Sequence, residues 1–312
     1  MISFGPIPSR RLGRSLGINN IPPKICSYSC VYCQVGKTTR MIIDPQSFYH
    51  PSQIYNEVRD KVDKSIEKNE SIDYLTFVSD GEPTLDINLG QEIKLMKSLG
   101  VKTAVISNSS LIDKKEIRDN LMEADLVSLK IDSVEESIWR RVNRPHRKLN
   151  LKSILEGILV FAGEFKGKLI TETMLIQGVN EHSKNMDGIA DFLEEVKPAC
   201  SYLSLPIRPP LDSWVQSPSE EKINQSYYIL KKKVKQVEYL IGYEGNAFAF
   251  TGEVRSDILS ITSVHPMRED ALQDFLKRAN SDWTIIDELI QQNKLIESSY
   301  EGKKFYLRKF KK

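Results

Sequence analysis

Cys26-Ser27-Tyr28-Ser29-Cys30-Val31-Tyr32-Cys33 places three of the chain's four cysteines within eight residues. Clustered thiols in a cysteine-poor chain usually hold a metal. A structural zinc site wants four ligands, and the nearest histidine is His50. Zinc here would need a ligand borrowed from far along the chain. Three thiolates can instead anchor three irons of one [4Fe–4S] cluster and leave the fourth iron open to a small chelating ligand.

Outward from this loop the pattern is regular. A first strand at 15–19 precedes it. Short apolar runs at 74–78, 102–107, 126–131, 169–176 and 202–206 then alternate with helical patterns at 51–68, 89–99, 114–123, 151–163, 184–196 and 220–235. Ser217 and Glu220 have capping-box spacing at the start of the last helix. About six β/α pairs predict an α/β fold, a partial (β/α)6 TIM-like barrel with its site at the C-terminal strand ends. The cysteine loop follows the first strand and so falls at that end. The tail reads differently, as helices at 265–280 and 282–292 and a hairpin at 294–300 and 303–309 around Glu301-Gly302. This suggests a small winged-helix-like domain at 251–312 behind a core at 1–250, with the boundary near 245–260.

Other chemistry-bearing segments sit at the expected strand ends. Ser79-Asp80-Gly81-Glu82-Pro83-Thr84-Leu85 is a turn with exposed backbone groups and one acceptor, suited to an ammonium group. Ser107-Asn108-Ser109 ends the next strand with small hydroxyl and amide side chains. Ser128, Lys130 and Asp132 alternate along the fourth, so all three face one side of the sheet. Polar groups facing into a barrel expect a ligand or water. Arg144 in Val-Asn-Arg-Pro-His and Arg208 in Pro-Ile-Arg-Pro-Pro are candidates to meet an anionic substrate, as surface arginines would also be placed. Arg10 and Arg11 in the arginine-rich N-terminal run join them as candidate substrate contacts.

The C-x3-C-x-aromatic-C pattern, with Gly81-Glu82-Pro83, resembles the radical SAM superfamily. In the usual Gly-Gly-Glu-Pro form a glycine stands where this chain has Asp80. Phe4 to Gly17, Pro-Pro-Lys before Cys26, Cys-Gln-Val-Gly after Tyr32, Val264-His265-Pro266-Met267-Arg268 and Gly302-Lys303-Lys304-Phe305-Tyr306 look like the subgroup of wyosine-type tRNA-modifying proteins. True wyosine synthetases carry additional N-terminal cysteines, and this chain has none. The resemblance implies one [4Fe–4S] cluster on Cys26, Cys30 and Cys33 and S-adenosylmethionine on its open iron. A reduced cluster would split that molecule into methionine and a 5′-deoxyadenosyl radical, which takes a hydrogen atom from the substrate. Gly81, Glu82 and Pro83 would place the methionine end. Ser107, Asn108, Lys130 and Asp132 are candidates for carboxylate and ribose, and Tyr32 for adenine. Partners implied are a reductant such as flavodoxin or ferredoxin, and tRNA or a partner protein. An iron–sulfur transcriptional sensor is the non-enzymatic alternative.

Composition bounds these readings. Among 312 residues 40% are hydrophobic and 28% charged, with a formal net charge of +2, so overall charge does not announce a nucleic-acid binder. Few cysteines argue for a reducing cytoplasm rather than a disulfide framework. The N-terminus lacks a signal-like apolar run, and no stretch is long enough to span a membrane. Gly36-Lys37-Thr38 echoes a phosphate loop, but Val31 stands where that loop needs glycine. Cys200 reads as core packing, and His146, His182 and His265 as structural or surface residues. The run 303–312 has six basic residues interleaved with Phe305, Tyr306 and Phe310. It reads either as a wing for RNA or as a strand edge kept soluble by lysine.

Overall fold

The computed structural model describes residues 2–242 and 244–309. Phe310 and the two final lysines of the basic run lie outside these, so that part of the expectation lies outside them too. The chain runs β1 (Ser3–Ser9), β2 (Gly13–Ile18), β3 (Ile25–Cys26), β4 (Arg40–Met41), α1 (Pro51–Glu67), β5 (Tyr74–Phe77), α2 (Leu89–Lys97), β6 (Lys102–Ser107) and α3 (Lys115–Leu121). There follow β7 (Leu126–Lys130), α4 (Glu136–Asn143), α5 (Leu151–Glu164), β8 (Lys168–Met174), α6 (Ser183–Val196), β9 (Cys200–Ser204), α7 (Glu220–Lys231) and β10 (Val237–Leu240). Eight strands form one curled sheet in the order β1-β2-β5-β6-β7-β8-β9-β10. Every neighbouring pair is parallel except β1 with β2. This is the partial TIM-like barrel that the strand–helix alternation predicts.

Local chemistry explains the elements. In α1, Ile54, Val58, Val62 and Ser65 recur at helical spacing and are buried. Each fully buried aliphatic side chain there contributes about 1.5–3 kcal/mol. Pro51 occupies the first turn, where its missing N–H costs nothing, and His50 accepts from the Ser52 N–H as N-cap. On β7, Val127 and Leu129 join the large core beneath the helices. The opposite side of the sheet runs Leu126, Ser128, Lys130. Leu126 meets Leu12, Ala104, Ile170, Cys200, Tyr202 and Leu240 in a small apolar plug, so Cys200 is core packing. Along β7 the inner face therefore changes from apolar to polar, and the cavity lies beyond the plug.

Besides α4 and α8, which have no counterpart among the expected helices, the edges of the sheet and the start of α7 depart from the sequence expectation. β1 forms in the arginine-rich N-terminal run, where no strand is expected from the sequence, because its prolines sit on an antiparallel edge strand, where a lost N–H breaks no central ladder. β10 adds a parallel strand at the other edge, too short to read as a periodic run. The α7 cap is Ser219, which accepts from Lys222 N–H at 3.4 Å, rather than Ser217.

Near the C-terminus come α8 (Val254–Ile261), β11 (Met267–Arg268), α9 (Glu269–Arg278), α10 (Thr284–Gln291), β12 (Leu295–Tyr300) and β13 (Lys303–Arg308). The strands pair antiparallel in the order β11-β13-β12. α9 starts at Glu269 rather than 265 because Met267 and Arg268 pair with β13. Phe248, Met267, Leu272, Phe275, Ile286 and Leu289 form a second apolar cluster here, separate from the large core. Phe305 and Tyr306 are buried, so these two aromatics of the basic run pack inward while Lys303 and Lys304 stay exposed. This part is fastened to the sheet by Ala249 N–H donating to Pro6 O at 2.9 Å, by Lys61–Asp257 at 2.7 Å and by Tyr300 O–H donating to Pro206 O at 2.7 Å. Among the described residues no helix is long and apolar enough to cross a membrane.

Candidate active site

A cavity of about 360 Å3 opens at the C-terminal strand ends. Cys26, Cys30 and Cys33 all line it. The loop carrying them is held by its backbone: Val31 N–H donates to Val142 O at 2.9 Å, and His146 N–H to Ser27 O at 2.9 Å. Amide groups reach two of the sulfurs, Asn108 Nδ2 to Cys26 Sγ at 3.4 Å and Asn143 Nδ2 to Cys30 Sγ at 3.5 Å.

Burial pushes the Cys26 thiol well up, Cys30 up to about 12 and Cys33 upward. Nearby carboxylates, Glu82 for Cys26 and Asp132 for Cys30, add to the effect. With the thiols held protonated by burial, metal loading at these cysteines releases protons. Among the described residues no three His, Cys, Asp or Glu side chains gather tightly enough to hold a single ion.

Gly81 shows why its position admits nothing larger. A Cβ there would lie 1.9 Å from the Ile25 carbonyl oxygen. The close approach lets the turn bridge to Ile25, beside Cys26, and Glu82 N–H donates to the same carbonyl at 3.2 Å. The Glu82 side chain is buried and accepts from Thr84 N–H, Thr84 Oγ1, Ser107 Oγ and Asn108 N–H at 2.6–3.1 Å. Burial outweighs those donors and still raises its pKa. Glu82 thus ties the β5 and β6 ends together while lining the cavity with Gly81, Ser107 and Asn108.

Asp80 lines the cavity where the resembling motif has glycine, and Lys24 Nζ pairs with it at 2.8 Å. Burial raises the Asp80 pKa to about 6 against the pull of Lys24. Tyr32 lines the cavity, and its hydroxyl donates to Asp132 Oδ2 at 2.5 Å. Lys130 Nζ lies 5.0 Å above the Tyr32 ring and bonds Glu172 Oε1 at 2.7 Å. Burial opposes the Lys130 charge, but Glu172 and Asp132 prevail and raise its pKa.

Three expected contacts stand outside the cavity wall. Pro83 is buried in the turn, its carbonyl accepting from Asn20 Nδ2 at 3.1 Å. Asp132 is satisfied internally by Tyr32, by Asn143 Nδ2 at 2.7 Å and by Met174 N–H at 2.8 Å. Arg144 ends α4 in a left-handed conformation, where its side chain turns to the surface and pairs with Asp212. Arg10, Arg11 and Arg208 do line the cavity. Glu172, Gln34 and Glu244, which the sequence alone did not single out, line it as well, and so does His265, which reads in the sequence as a structural or surface residue. A glutamate inside an otherwise buried β8 was a legible signal for Glu172. His265 had none, because only tertiary packing brings it to Arg208, 3.1 Å away.

A parallel half-barrel with three loop thiols in its mouth defines a class. A family model described as the Radical SAM superfamily matches residues 20–188. The chain belongs to that superfamily, whose members use a [4Fe–4S] cluster and S-adenosylmethionine. It is similar to a UPF0026 protein of Methanocaldococcus jannaschii, 46% identical over 99% of this chain and 97% of that one. It is also 25% identical, over 93% of this chain and 96% of the other, to an S-adenosylmethionine-dependent nucleotide dehydratase of Flammeovirga pacifica. A solved structure of TYW1 with a lysine-pyruvate adduct bound shares the fold, with TM-score 0.53, 17% identity and coverage of 71% of this chain and 74% of that one.

Proposed function

We propose that this radical SAM enzyme binds its cluster through Cys26, Cys30 and Cys33 and acts on RNA, tRNA first. The observation that carries the enzymatic reading is the three-thiol loop lining the same cavity as Gly81, Glu82, Ser107 and Asn108. When bound, the cluster supplies the electron that cleaves S-adenosylmethionine to methionine and a 5′-deoxyadenosyl radical, which takes hydrogen from the substrate. The protein's own work is placement and exclusion of water. Gly81 brings the turn against the cysteine strand, Glu82 locks two strand ends, and Asn108 and Asn143 offer N–H groups to the sulfurs. Tyr32, fixed by Asp132, presents its ring and backbone as the adenine wall, and Ser107 is the polar contact for carboxylate and ribose.

RNA is supported by the resemblance of the N-terminal and cysteine segments to wyosine-type proteins and by exposed Lys303 and Lys304 on the terminal hairpin. We read 251–312 as a winged-helix-like unit on its element order and its own apolar cluster. The setting is cytoplasmic, with a flavodoxin or ferredoxin as electron source. Anaerobic reconstitution with dithionite and S-adenosylmethionine should yield 5′-deoxyadenosine; none would refute the enzyme. Nucleoside mass spectrometry of tRNA from a deletion strain should show a lost or truncated modification. An unchanged profile would turn the search to a partner protein.

A further inference from the structure

Cations outnumber carboxylates on one wall of the cavity. Arg11 and Lys130 share the carboxylate of Glu172. Arg10 and Arg208 share that of Glu244, at 3.7 and 2.7 Å. All six line the cavity, and none of the side chains is more than 25% exposed. His265 adds no charge, since burial and Arg208 hold its pKa well down. Lys24 and Asp80 pair with each other, and Glu82 is committed to its own donors. Among the described residues this wall therefore has four cations and two carboxylates. Buried charge of one sign is costly unless a counter-ion meets it.

The geometry supports the same reading. After burial, the charges of Arg208 and Arg11 press the Arg10 pKa down, while Glu244 and Glu172 pull it up. Arg208 is 7% exposed, with Nη1 on Gln34 Oε1 at 2.7 Å and Nη2 on Glu244, while its buried Nε has no hydrogen-bond partner among the described residues; Arg10 is anchored through Nη1 and Nη2 on the Ile241 and Leu240 carbonyls at 2.6 and 2.9 Å. Guanidinium groups match the flat, multiple acceptors of oxyanions. A carboxylate would neutralise one of the two excess charges, whereas a phosphate group at neutral pH neutralises both or nearly both.

We propose that this wall is a substrate subsite for a phosphate group, with Arg10 and Arg208 as its principal contacts and Arg11 and Lys130 completing its field. The term substrate rests on the enzymatic reading above; the anion site itself does not. Because Val264 and His265 also line the cavity, the C-terminal part helps to shape this subsite.

The test is calorimetric titration of cluster-loaded, unreduced enzyme with inorganic pyrophosphate, with and without saturating S-adenosylmethionine. Saturable binding that weakens with salt and persists with S-adenosylmethionine is expected. Arg208→Gln and Arg10→Gln should each weaken it at least about tenfold, with Arg147→Gln, an exposed residue outside the cavity, as the unchanged control. No saturable binding, equal binding by both cavity variants, or loss of binding on adding S-adenosylmethionine would overturn the proposal; the last would give the wall to the methionine carboxylate. If Arg208→Gln does not fold, Arg10→Gln and the competition still decide. Displacement by ribose 5-phosphate points to a small phosphorylated substrate, and displacement only by a 5′-phosphorylated oligoribonucleotide points to RNA; both support the subsite. Production of 5′-deoxyadenosine is scored separately, so an enzyme that cleaves its cofactor but ignores pyrophosphate sinks only the subsite.

Discussion

Individual residues carry the least forgiving parts of this site. Replacing Cys26, Cys30 or Cys33 by Ala should reduce bound iron after reconstitution to background, measured as iron per protein, because each thiolate is expected to hold a separate iron. Full iron loading in any of the three would remove that residue from the ligand set. Gly81→Ala should cost about 1–3 kcal/mol, since the new Cβ would stand 1.9 Å from the Ile25 carbonyl. A thermal melt lower by several degrees and weaker iron loading should appear together, because Ile25 directly precedes Cys26. At this scale the sequence was informative where chemistry is local: thiol spacing and the Gly81-Glu82 turn needed no fold to be noticed. It was least informative for long-range partners. Nothing near Asp80 announces Lys24, and nothing near Arg208 announces His265.

At the scale of elements, the entry into α2 contains an unused acid pair. Glu92 in its first turn and Asp86 just before it are both fully buried. Burial first, and then the Asp86 charge, hold the Glu92 pKa far above the ordinary carboxylate range. The folded chain therefore keeps a proton that the unfolded chain releases near pH 4.3. Through that window the folded state binds more protons, so rising pH destabilises it, by at most about 1.4 kcal/mol per pH unit for one group. Glu92→Gln should flatten the fall in melting temperature between pH 5 and pH 8 and raise stability at pH 8. An unchanged slope would mean that Glu92 is already charged in the fold. Long parallel strands and helices were legible at this scale because their periodicity is strong. The edge strands β1 and β10 were not, since prolines and shortness are tolerated where only one neighbour must be paired.

For the whole molecule, the question is how the C-terminal part serves the barrel. If its hairpin touches RNA, Lys303→Glu with Lys304→Glu should weaken tRNA retention and reduce the salt slope by about two. Both side chains are exposed and Lys304 gives up only a surface pair with Glu297 at 3.2 Å, so the melting temperature should fall by no more than a few degrees. Unchanged retention would take the hairpin out of RNA binding. Removal of everything beyond residue 250 is a harsher change: it strips Val264 and His265 from the cavity and the Lys61–Asp257 pair from α1. Such a truncation should melt lower than the full chain even before any substrate is tested. For that reason point variants are the better probes of RNA.

The sequence alone determined the cofactor chemistry and the β/α order, because three thiols within eight residues and alternating periodicities are properties of neighbours along the chain. Tertiary structure alone decided what meets what across the barrel. It turned Arg144 to the surface and Phe305 and Tyr306 into a core, and it gathered Arg10, Arg11, Lys130 and Arg208 around two glutamates. Those groups come from strands and loops up to 234 residues apart, Arg10 and Glu244 being the widest pair. Electrostatic balance is set by distance in space and by burial, and a linear pattern records neither.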